Sequence, residues 1–145
     1  MAAVACRVVA EAKVREKKDV EIRCSVPEKD VFVRAHPYLV GEVVGNLVDN
    51  AVKYTDAGSV SVSVESEGRY ARLIVSDTGR GIPREEQKSV FRRFYRASNA
   101  GDRVGSGLGL ATVREIVESR YGGRVSLVSA PGSGSTFNVT FPRSL

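Results

Sequence analysis

Two asparagines lie four residues apart in the stretch NLVDNAVKY, residues 46–54. Residues with this spacing share one face of a helix, so Asn46 and Asn50 would extend their side chains side by side. An amide oxygen is a neutral ligand that suits Mg²⁺ whose charge is already balanced by phosphates. Lys53 would then reach a phosphate, and the ring of Tyr54 could lie against a base. By itself such a pair is more often part of an ordinary solvated face, so its interpretation depends on the rest of the chain.

A second polar cluster is SDTGRGIP, residues 76–83. Asp77 ends a run that is typical of a strand, and strand ends are where open sheets place groups that contact ligands. Its carboxylate could accept a hydrogen bond from an exocyclic amine such as that of adenine. Gly79 and Gly81 would let the backbone approach a ring closely. An ordinary turn built from Asp, Thr and Gly is the alternative.

The third cluster is GSGLGL, residues 105–110, which precedes a helical pattern. Gly105, Gly107 and Gly109 would leave backbone amides free to contact phosphate oxygens, and the start of a helix adds partial positive charge. The stretch does not match GxxxxGK[ST], and it does not follow a strand in a βαβ unit. A dinucleotide-binding fold is therefore not indicated.

Helices and β-rich runs are expected to position these clusters. The hydrophobic patterns predict helices over 1–17, 36–55, 83–95 and 108–121, and strands over 19–24, 31–35, 59–66, 70–77, 124–130 and 135–141. Hairpins are segregated from helices, which favours an α+β fold. We expect a two-layer sandwich in which a mixed, mostly antiparallel sheet of about five strands is covered on one face by about three helices.

The bulk composition is that of one soluble globular domain over residues 1–145, with 42% hydrophobic and 27% charged residues. No apolar run approaches the roughly 20 residues of a membrane span, and the first residues lack the pattern of a signal peptide. We therefore expect a cytoplasmic domain that does not insert into a membrane itself, although a longer parent protein could be anchored there. Cys6 and Cys24 have no metal-ligand spacing and are expected to be reduced thiols.

The net charge of +5 arises partly from a basic cluster in residues 83–103. Such a cluster can contact nucleic acid, an acidic partner or a phosphorylated ligand. The chain has no zinc-ligand spacing and no alternation of aromatic and basic residues, so we expect no nucleic-acid partner. A small phosphorylated ligand is favoured because the basic residues lie beside glycines.

The order of the motifs is more specific than any one of them. N-x-x-x-N-A-x-K-Y, D-x-G-x-G-I, F-x-x-F-Y-R and G-x-G-L-G-L follow one another between residues 42 and 110. In this order they resemble the N, G1, F and G2 boxes of sensor histidine kinases. The chain therefore resembles the ATP-binding catalytic domain of those kinases, which has the Bergerat fold of the gyrase, heat-shock chaperone and mismatch-repair ATPase superfamily.

This resemblance implies ATP and Mg²⁺ as ligands. It implies that Asn50 coordinates the metal, that Asn46 lies beside the metal and the phosphates, that Lys53 contacts a phosphate and that Tyr54 packs on adenine. It also implies that Asp77 accepts the adenine amine.

Further positions follow from the same resemblance. Thr136, in STFNVTFP, would support the adenine-binding Asp, and Phe91 and Phe94 would anchor a lid over about 96–106 or pack in the core. Arg96 is a candidate for contacting the γ-phosphate. The implied catalytic residues are Asn46, Lys53 and Arg96, and the implied metal ligand is Asn50. The implied ATP-binding residues are Asn46, Asn50, Lys53, Tyr54, Asp77, Gly79, Gly81, Ile82, Gly105, Ser106, Gly107, Leu108, Gly109, Leu110 and Thr136.

Position 46 bears on the reaction. Hydrolytic members of the superfamily carry a Glu at the place that matches Asn46, and an amide cannot accept a proton from water at neutral pH. The resemblance therefore implies phosphoryl transfer rather than hydrolysis. His36 is followed by Pro37 and is expected to be a turn residue, not the phosphoacceptor. The expected partners are the dimerisation and phosphoacceptor hairpin of a parent kinase and a response regulator with an acceptor Asp; neither that hairpin nor a sensor segment is expected within this chain.

Two other functions remain open at this point. One is a serine kinase of the anti-sigma type, which shares the ATP fold, although VFRRFY fits the sensor kinases better. The other is a regulatory module that binds a nucleotide without catalysing a reaction, although none of the expected ligands is replaced.

Overall fold

A computed structural model describes residues 1–14, 19–95 and 108–144 of the chain. Within these ranges the helices are α1 (Ala2–Val14), α2 (Pro37–Lys53) and α3 (Gly109–Arg114), which continues as a π-helical segment (Glu115–Arg120). The strands are β1 (Val20–Ser25), β2 (Gly58–Glu67), β3 (Tyr70–Asp77), β4 (Arg124–Ser129) and β5 (Ser135–Pro142). A 3₁₀ turn occupies Arg84–Glu86.

The five strands form one sheet in the order β1-β2-β3-β5-β4. β1 is parallel to β2, and the other neighbouring strands are antiparallel. The helices cover one face of this sheet, which confirms the predicted α+β sandwich with a mixed, mostly antiparallel sheet. No helix in the described ranges is long and apolar enough to cross a bilayer.

The core lies between the helices and one face of the sheet. Strand side chains alternate between the two faces of a sheet, and every second residue of β3 and β5 is buried. The buried face of α2 that meets them consists of Val40, Val43, Val44, Leu47, Val48 and Ala51. Asp77 and Ser135 continue these buried rows at the ends of their strands and form a cross-strand pair. The apolar core thus ends in a polar patch at one edge.

The start of α2 has a defined cap. His36 has extended backbone geometry, and its Nδ1 accepts a hydrogen bond of 3.1 Å from the backbone N–H of Tyr38. Pro37 follows at the first helical position, where its missing N–H would be unpaired anyway. His36 therefore acts as a helix cap, in line with its expected place in a turn.

Two predicted elements are shorter in the structure. The strand expected at 31–35 is reduced to one bridge between Val33 and Arg143. The helix expected at 83–95 begins with the 3₁₀ turn and continues as turns with i→i+3 hydrogen bonds, such as Arg92 N–H to Ser89 O. In this segment Phe91 packs edge-on against Phe137, with ring centroids 6.1 Å apart. Tertiary packing has overridden the local helical preference there.

The helix expected at 108–121 is present as α3 with its π-helical continuation. Gly122 ends it with a φ of +68°, which glycine adopts without steric cost. The N–H of Gly123 then bonds to the carbonyl of Val117 at 2.8 Å.

Candidate functional site

Three of the predicted clusters meet at the polar edge of the core. α2 packs against α3, and the end of α2 contacts the loop after β3. A Cβ atom on Gly109 would lie 3.2 Å from Asn46 Oδ1, so the first turn of α3 directly faces the amide of Asn46. Asn46 and Asn50 are half-buried one turn apart on α2. The structure therefore brings the asparagine face and the end of the glycine-rich stretch together.

Asp77 is the most enclosed acidic residue of this region, with 8% of its surface exposed. Its Oδ1 accepts two backbone hydrogen bonds, from Gly79 N–H at 2.9 Å and from Ser135 N–H at 3.3 Å. Burial raises the pKa of Asp77, and the two backbone donors offset part of that rise. Within the described part of the chain no donor contacts Oδ2, which leaves that oxygen for a ligand.

The loop after Asp77 lies against the end of α2. The Arg80 backbone N–H donates to the carbonyl of Tyr54 at 3.1 Å. A side chain on Gly79 would collide with that same carbonyl, and its Cβ would also lie 2.9 Å from Thr55 Oγ1. Thr55 is itself fully buried and donates to the carbonyl of Ala51 at 2.8 Å. Gly79 is therefore required by a close backbone approach that joins the two motifs.

The same loop is held on its other side by the turn between β4 and β5. Gly81 has a φ of +70°, and a Cβ there would collide with the carbonyl of Ala130. The Ile82 N–H donates to Ser129 Oγ at 2.8 Å. The side-chain amide of Gln87 donates to the carbonyls of Ile82 at 3.0 Å and Ser129 at 2.9 Å. Sequence reasoning missed Ser129 and Gln87, because nothing in their local pattern distinguishes them from ordinary polar residues.

One predicted contact is wrong. Thr136 was expected to support Asp77, but its hydroxyl lies 2.8 Å from the hydroxyl of Ser76, its cross-strand partner on the opposite face of the sheet. Ser135 takes the expected place, since it pairs with Asp77 and donates its N–H to the carboxylate. Side chains alternate between faces, so a shift of one residue reverses the face. The buried alternation of Ser135, Phe137, Val139 and Phe141 was the signal in the sequence that could have identified Ser135.

The remaining described candidates lie around this edge. Tyr54 is half-buried, and its N–H bonds to the carbonyl of Asn50 at 3.2 Å. Lys53 is exposed in the last turn of α2. Leu108 and Leu110 are half-buried at the start of α3, and Leu110 packs on the core.

The two phenylalanines of the F-x-x-F motif differ in their surroundings. Phe91 packs against the core and contacts Phe137. Phe94 is 68% exposed and has a φ of 63°, which is uncommon for a residue with a side chain. Phe91 thus has the core-packing role that was one of the two alternatives for the pair.

Four of the predicted site residues lie outside the described ranges. They are Arg96, Gly105, Ser106 and Gly107. The predicted lid over about 96–106 falls in the same gap, so both predictions rest on the sequence alone.

The geometry suits a nucleotide whose base and phosphates bind at separate points. Asp77 offers a buried acceptor for a base, and the amides of Asn46 and Asn50 offer neutral oxygens beside the start of a helix. Amide oxygens are suitable ligands for a magnesium–phosphate group, which keeps some water and takes few protein ligands. The described residues therefore fit ATP together with Mg²⁺.

Comparison with known proteins identifies similar chains. Residues 35–145 match the family described as Histidine kinase-, DNA gyrase B-, and HSP90-like ATPase. Sensor protein kinase PmrB from Pseudomonas aeruginosa is 38% identical over 130 residues, which are 89% of this chain and 27% of PmrB. The chain thus spans about a quarter of the length of this curated relative.

Solved structures agree with this similarity. The mycobacterial sensor histidine kinase MprB superimposes with a TM-score of 0.86 at 31% identity, over 97% of this chain and 94% of that chain. Full-length ShkA in complex with AMPPNP superimposes with a TM-score of 0.85 at 27% identity, over 99% of this chain and 30% of that chain.

Proposed function

The chain belongs to the family of histidine kinase-, DNA gyrase B- and HSP90-like ATPases, and we propose that it transfers the γ-phosphoryl group of ATP to a histidine on a separate helical hairpin. Its similarity to sensor histidine kinases extends over nearly the whole chain. The observation that carries the proposal is the buried Asp77, whose Oδ1 is held by two backbone N–H groups.

Adenine recognition follows from this carboxylate. Asp77 Oδ1 already accepts hydrogen bonds from the N–H groups of Gly79 and Ser135. Its Oδ2 accepts a hydrogen bond from the amine of adenine. A desolvated carboxylate gains more from a donor than an exposed one does, which gives the base contact its strength. Gly79 and Gly81 keep the loop backbone close to the ring, and Tyr54 and Ile82 provide apolar surface beside it. The presence of AMPPNP, an ATP analogue, in the similar protein ShkA supports this choice of base.

The phosphates bind at the other side of the site. Asn46 and Asn50 face them from α2, Gly109 lets the first turn of α3 approach, and Lys53 contributes positive charge. Asn50 would hold Mg²⁺, which when bound would neutralise the phosphates and orient them for transfer. The sequence motifs alone are the basis for the other proposed phosphate contacts, which are Arg96, Gly105, Ser106, Gly107 and Leu108.

The acceptor of the phosphoryl group is a histidine of a partner segment. Asn46 has no basic oxygen with which to activate water, so this position cannot supply the general base that hydrolysis requires. The bond between the γ-phosphorus and the bridging oxygen breaks, ADP leaves, and the imidazole nitrogen of the partner takes the phosphoryl group. We propose onward transfer to an aspartate of a response regulator. Because ATP is the substrate, we place the domain in the cytoplasm, whether or not its parent protein is anchored in a membrane.

Incubation of this domain with the helical hairpin of its parent protein, ATP and Mg²⁺ tests the assignment. We expect phosphohistidine on the hairpin and, without the hairpin, ATP turnover far below that of hydrolytic members of the superfamily. Phosphoserine on a partner would favour the anti-sigma type of kinase instead. Nucleotide binding without transfer would favour a regulatory module.

Asn50→Ala tests the metal assignment. Removal of the amide oxygen should lower ATP affinity by about tenfold or more in the presence of Mg²⁺, the order of effect seen when a group that supports a metal is lost. In EDTA the loss should be much smaller. Asp49→Ala, an exposed change on the same helix, is the matched control and should leave both affinities unchanged. Equal losses with and without Mg²⁺ would remove Asn50 from the metal.

A further inference from the structure

Two thiols face each other between α1 and β1. Cys6 and Cys24 are 18 residues apart in the chain, and their Sγ atoms lie 3.8 Å apart. Both are free thiols; Cys6 is exposed and Cys24 is half-buried. Cys24 lies on the face of β1 that also carries the buried Val20 and Ile22, which is the face that α1 covers.

The backbones that carry the two thiols are each held by contacts other than the thiol pair itself. α1 is anchored through Ala5 and Val9, which are buried in the core, and through the Ala2 N–H, which donates to Asp30 Oδ1 at 2.7 Å. β1 is paired with β2, and Cys24 is opposite Val62 in that register. The approach of the sulfurs is therefore a property of how α1 packs on the sheet edge.

We propose that Cys6 and Cys24 are a modification site at which a peroxide forms a disulfide between α1 and β1. To form this disulfide the two sulfurs must move from 3.8 Å apart to a bond of about 2.0 Å. The pair shares no residue with the nucleotide site, so this proposal does not depend on the proposed phosphoryl transfer.

The two thiols have different roles in this reaction. Burial, followed by the hydrogen bond with Cys6, raises the pKa of Cys24 to about 11, and the charge of Lys13 offsets a small part of the rise. Cys24 is thus a poor first nucleophile, whereas Cys6 is open to solvent and meets the peroxide first.

The chemistry balances with hydrogen peroxide as the only co-reactant. The Cys6 thiol loses its proton, and the thiolate attacks one peroxide oxygen and breaks the O–O bond, giving the sulfenic acid and hydroxide. The hydroxide takes up the proton from the thiol and leaves as one water. Cys24 then attacks the Cys6 sulfur, the S–O bond breaks, and the hydroxyl leaves as a second water with the Cys24 proton. The two sulfurs are oxidised by two electrons in total, and the peroxide is reduced.

Oxidation of the reduced domain with hydrogen peroxide, followed by thiol alkylation and intact mass measurement, tests the proposal. The protein should lose the mass of two hydrogen atoms, take up no alkyl group and form no disulfide-linked dimer. Its Tm should rise by about 5–10 °C, since the cross-link closes a loop in the unfolded chain.

Cys6→Ser is the control, because the exposed position tolerates a hydroxyl. This variant should keep one alkylatable thiol after oxidation and show no rise in Tm. A wild-type protein that still takes up two alkyl groups after oxidation, that forms disulfide-linked dimers instead, or that stops at oxygen adducts of Cys6 would overturn the proposal. Cys24→Ser separates the roles: it should stop at the sulfenic acid of Cys6, and an unreactive Cys6 in this variant would contradict the assigned order.

Discussion

Replacement of Asp77 by Asn should lower ATP affinity by about ten- to a hundredfold, the range expected for a hydrogen bond to a charged group. The variant amide can keep its oxygen toward the N–H groups of Gly79 and Ser135, so the loop stays in place. Its NH₂ group then takes the place of Oδ2 and meets the adenine amine, donor against donor. Calorimetric titration with ATP measures the loss.

The same substitution should change which base is preferred. Hypoxanthine carries a carbonyl where adenine carries its amine, so ITP should bind the Asp77→Asn variant better than it binds the wild type. Asp49→Asn, on the exposed face of α2, is the matched control and should alter neither affinity. Unchanged ATP affinity in Asp77→Asn, or an equal loss for ATP and ITP, would contradict the assigned role.

The pH dependence of folding stability and of ATP affinity is a second test of the role of Asp77. Burial raises the pKa of Asp77 in the folded protein, so the folded state keeps the carboxyl proton up to a higher pH than the unfolded state does. The free energy of unfolding therefore falls as the pH rises from the ordinary pKa of an Asp through the raised pKa. Asp77→Asn removes that cost and should be at least as stable as the wild type at neutral pH. ATP affinity of the wild type should fall on acidification, starting at a higher pH than an ordinary Asp would give, and the fall should be smaller in the variant.

Gly81→Ala should lower the free energy of unfolding by about 3 kcal/mol and ATP affinity by at least tenfold. A φ of +70° costs a residue with a side chain about 1–2 kcal/mol. The new Cβ would also collide with the carbonyl of Ala130, which cannot move without disturbing the turn that holds Ile82 through Ser129. Chemical denaturation and nucleotide titration measure the two effects.

Gly68→Ala is the control that separates the cost of backbone strain from the cost of the collision with the Ala130 carbonyl. Gly68 has a φ of +60° in the turn between β2 and β3, and a Cβ there would meet nothing within 4 Å. It should therefore cost about 1 kcal/mol from backbone strain alone and leave ATP affinity unchanged. Equal unfolding losses in Gly68→Ala and Gly81→Ala would show that the contact with the β4–β5 turn contributes nothing.

Sequence patterns predicted those features of the fold and the site that depend on interactions between residues close together in the chain. Asn46 and Asn50 share a face because a helix repeats every 3.6 residues, and that geometry needs no knowledge of the rest of the chain. The β-rich runs at 70–77 and 135–141 likewise predicted the two strands that the structure has there as β3 and β5. The order of the four motifs predicted the family, which the comparisons confirm.

The same patterns did not predict contacts between segments that are far apart in the sequence. Ser135, not Thr136, meets Asp77, because the register of β5 on β3 decides which hydroxyl lies on the inner face. Gln87 joins the loop at Ile82 to Ser129 across more than forty residues of sequence, and helical periodicity in 83–95 gave no hint of it. The approach of Cys6 to Cys24 depends in the same way on how α1 lies on β1.

Local patterns thus predict the residues of the proposed site, namely the amides, the acid and the glycines, because short-range geometry places each on its own helix, strand or loop. Which of the described residues touch depends on the packing of the whole chain, because strand register and helix packing are set by burial of the apolar core and not by neighbours in the sequence.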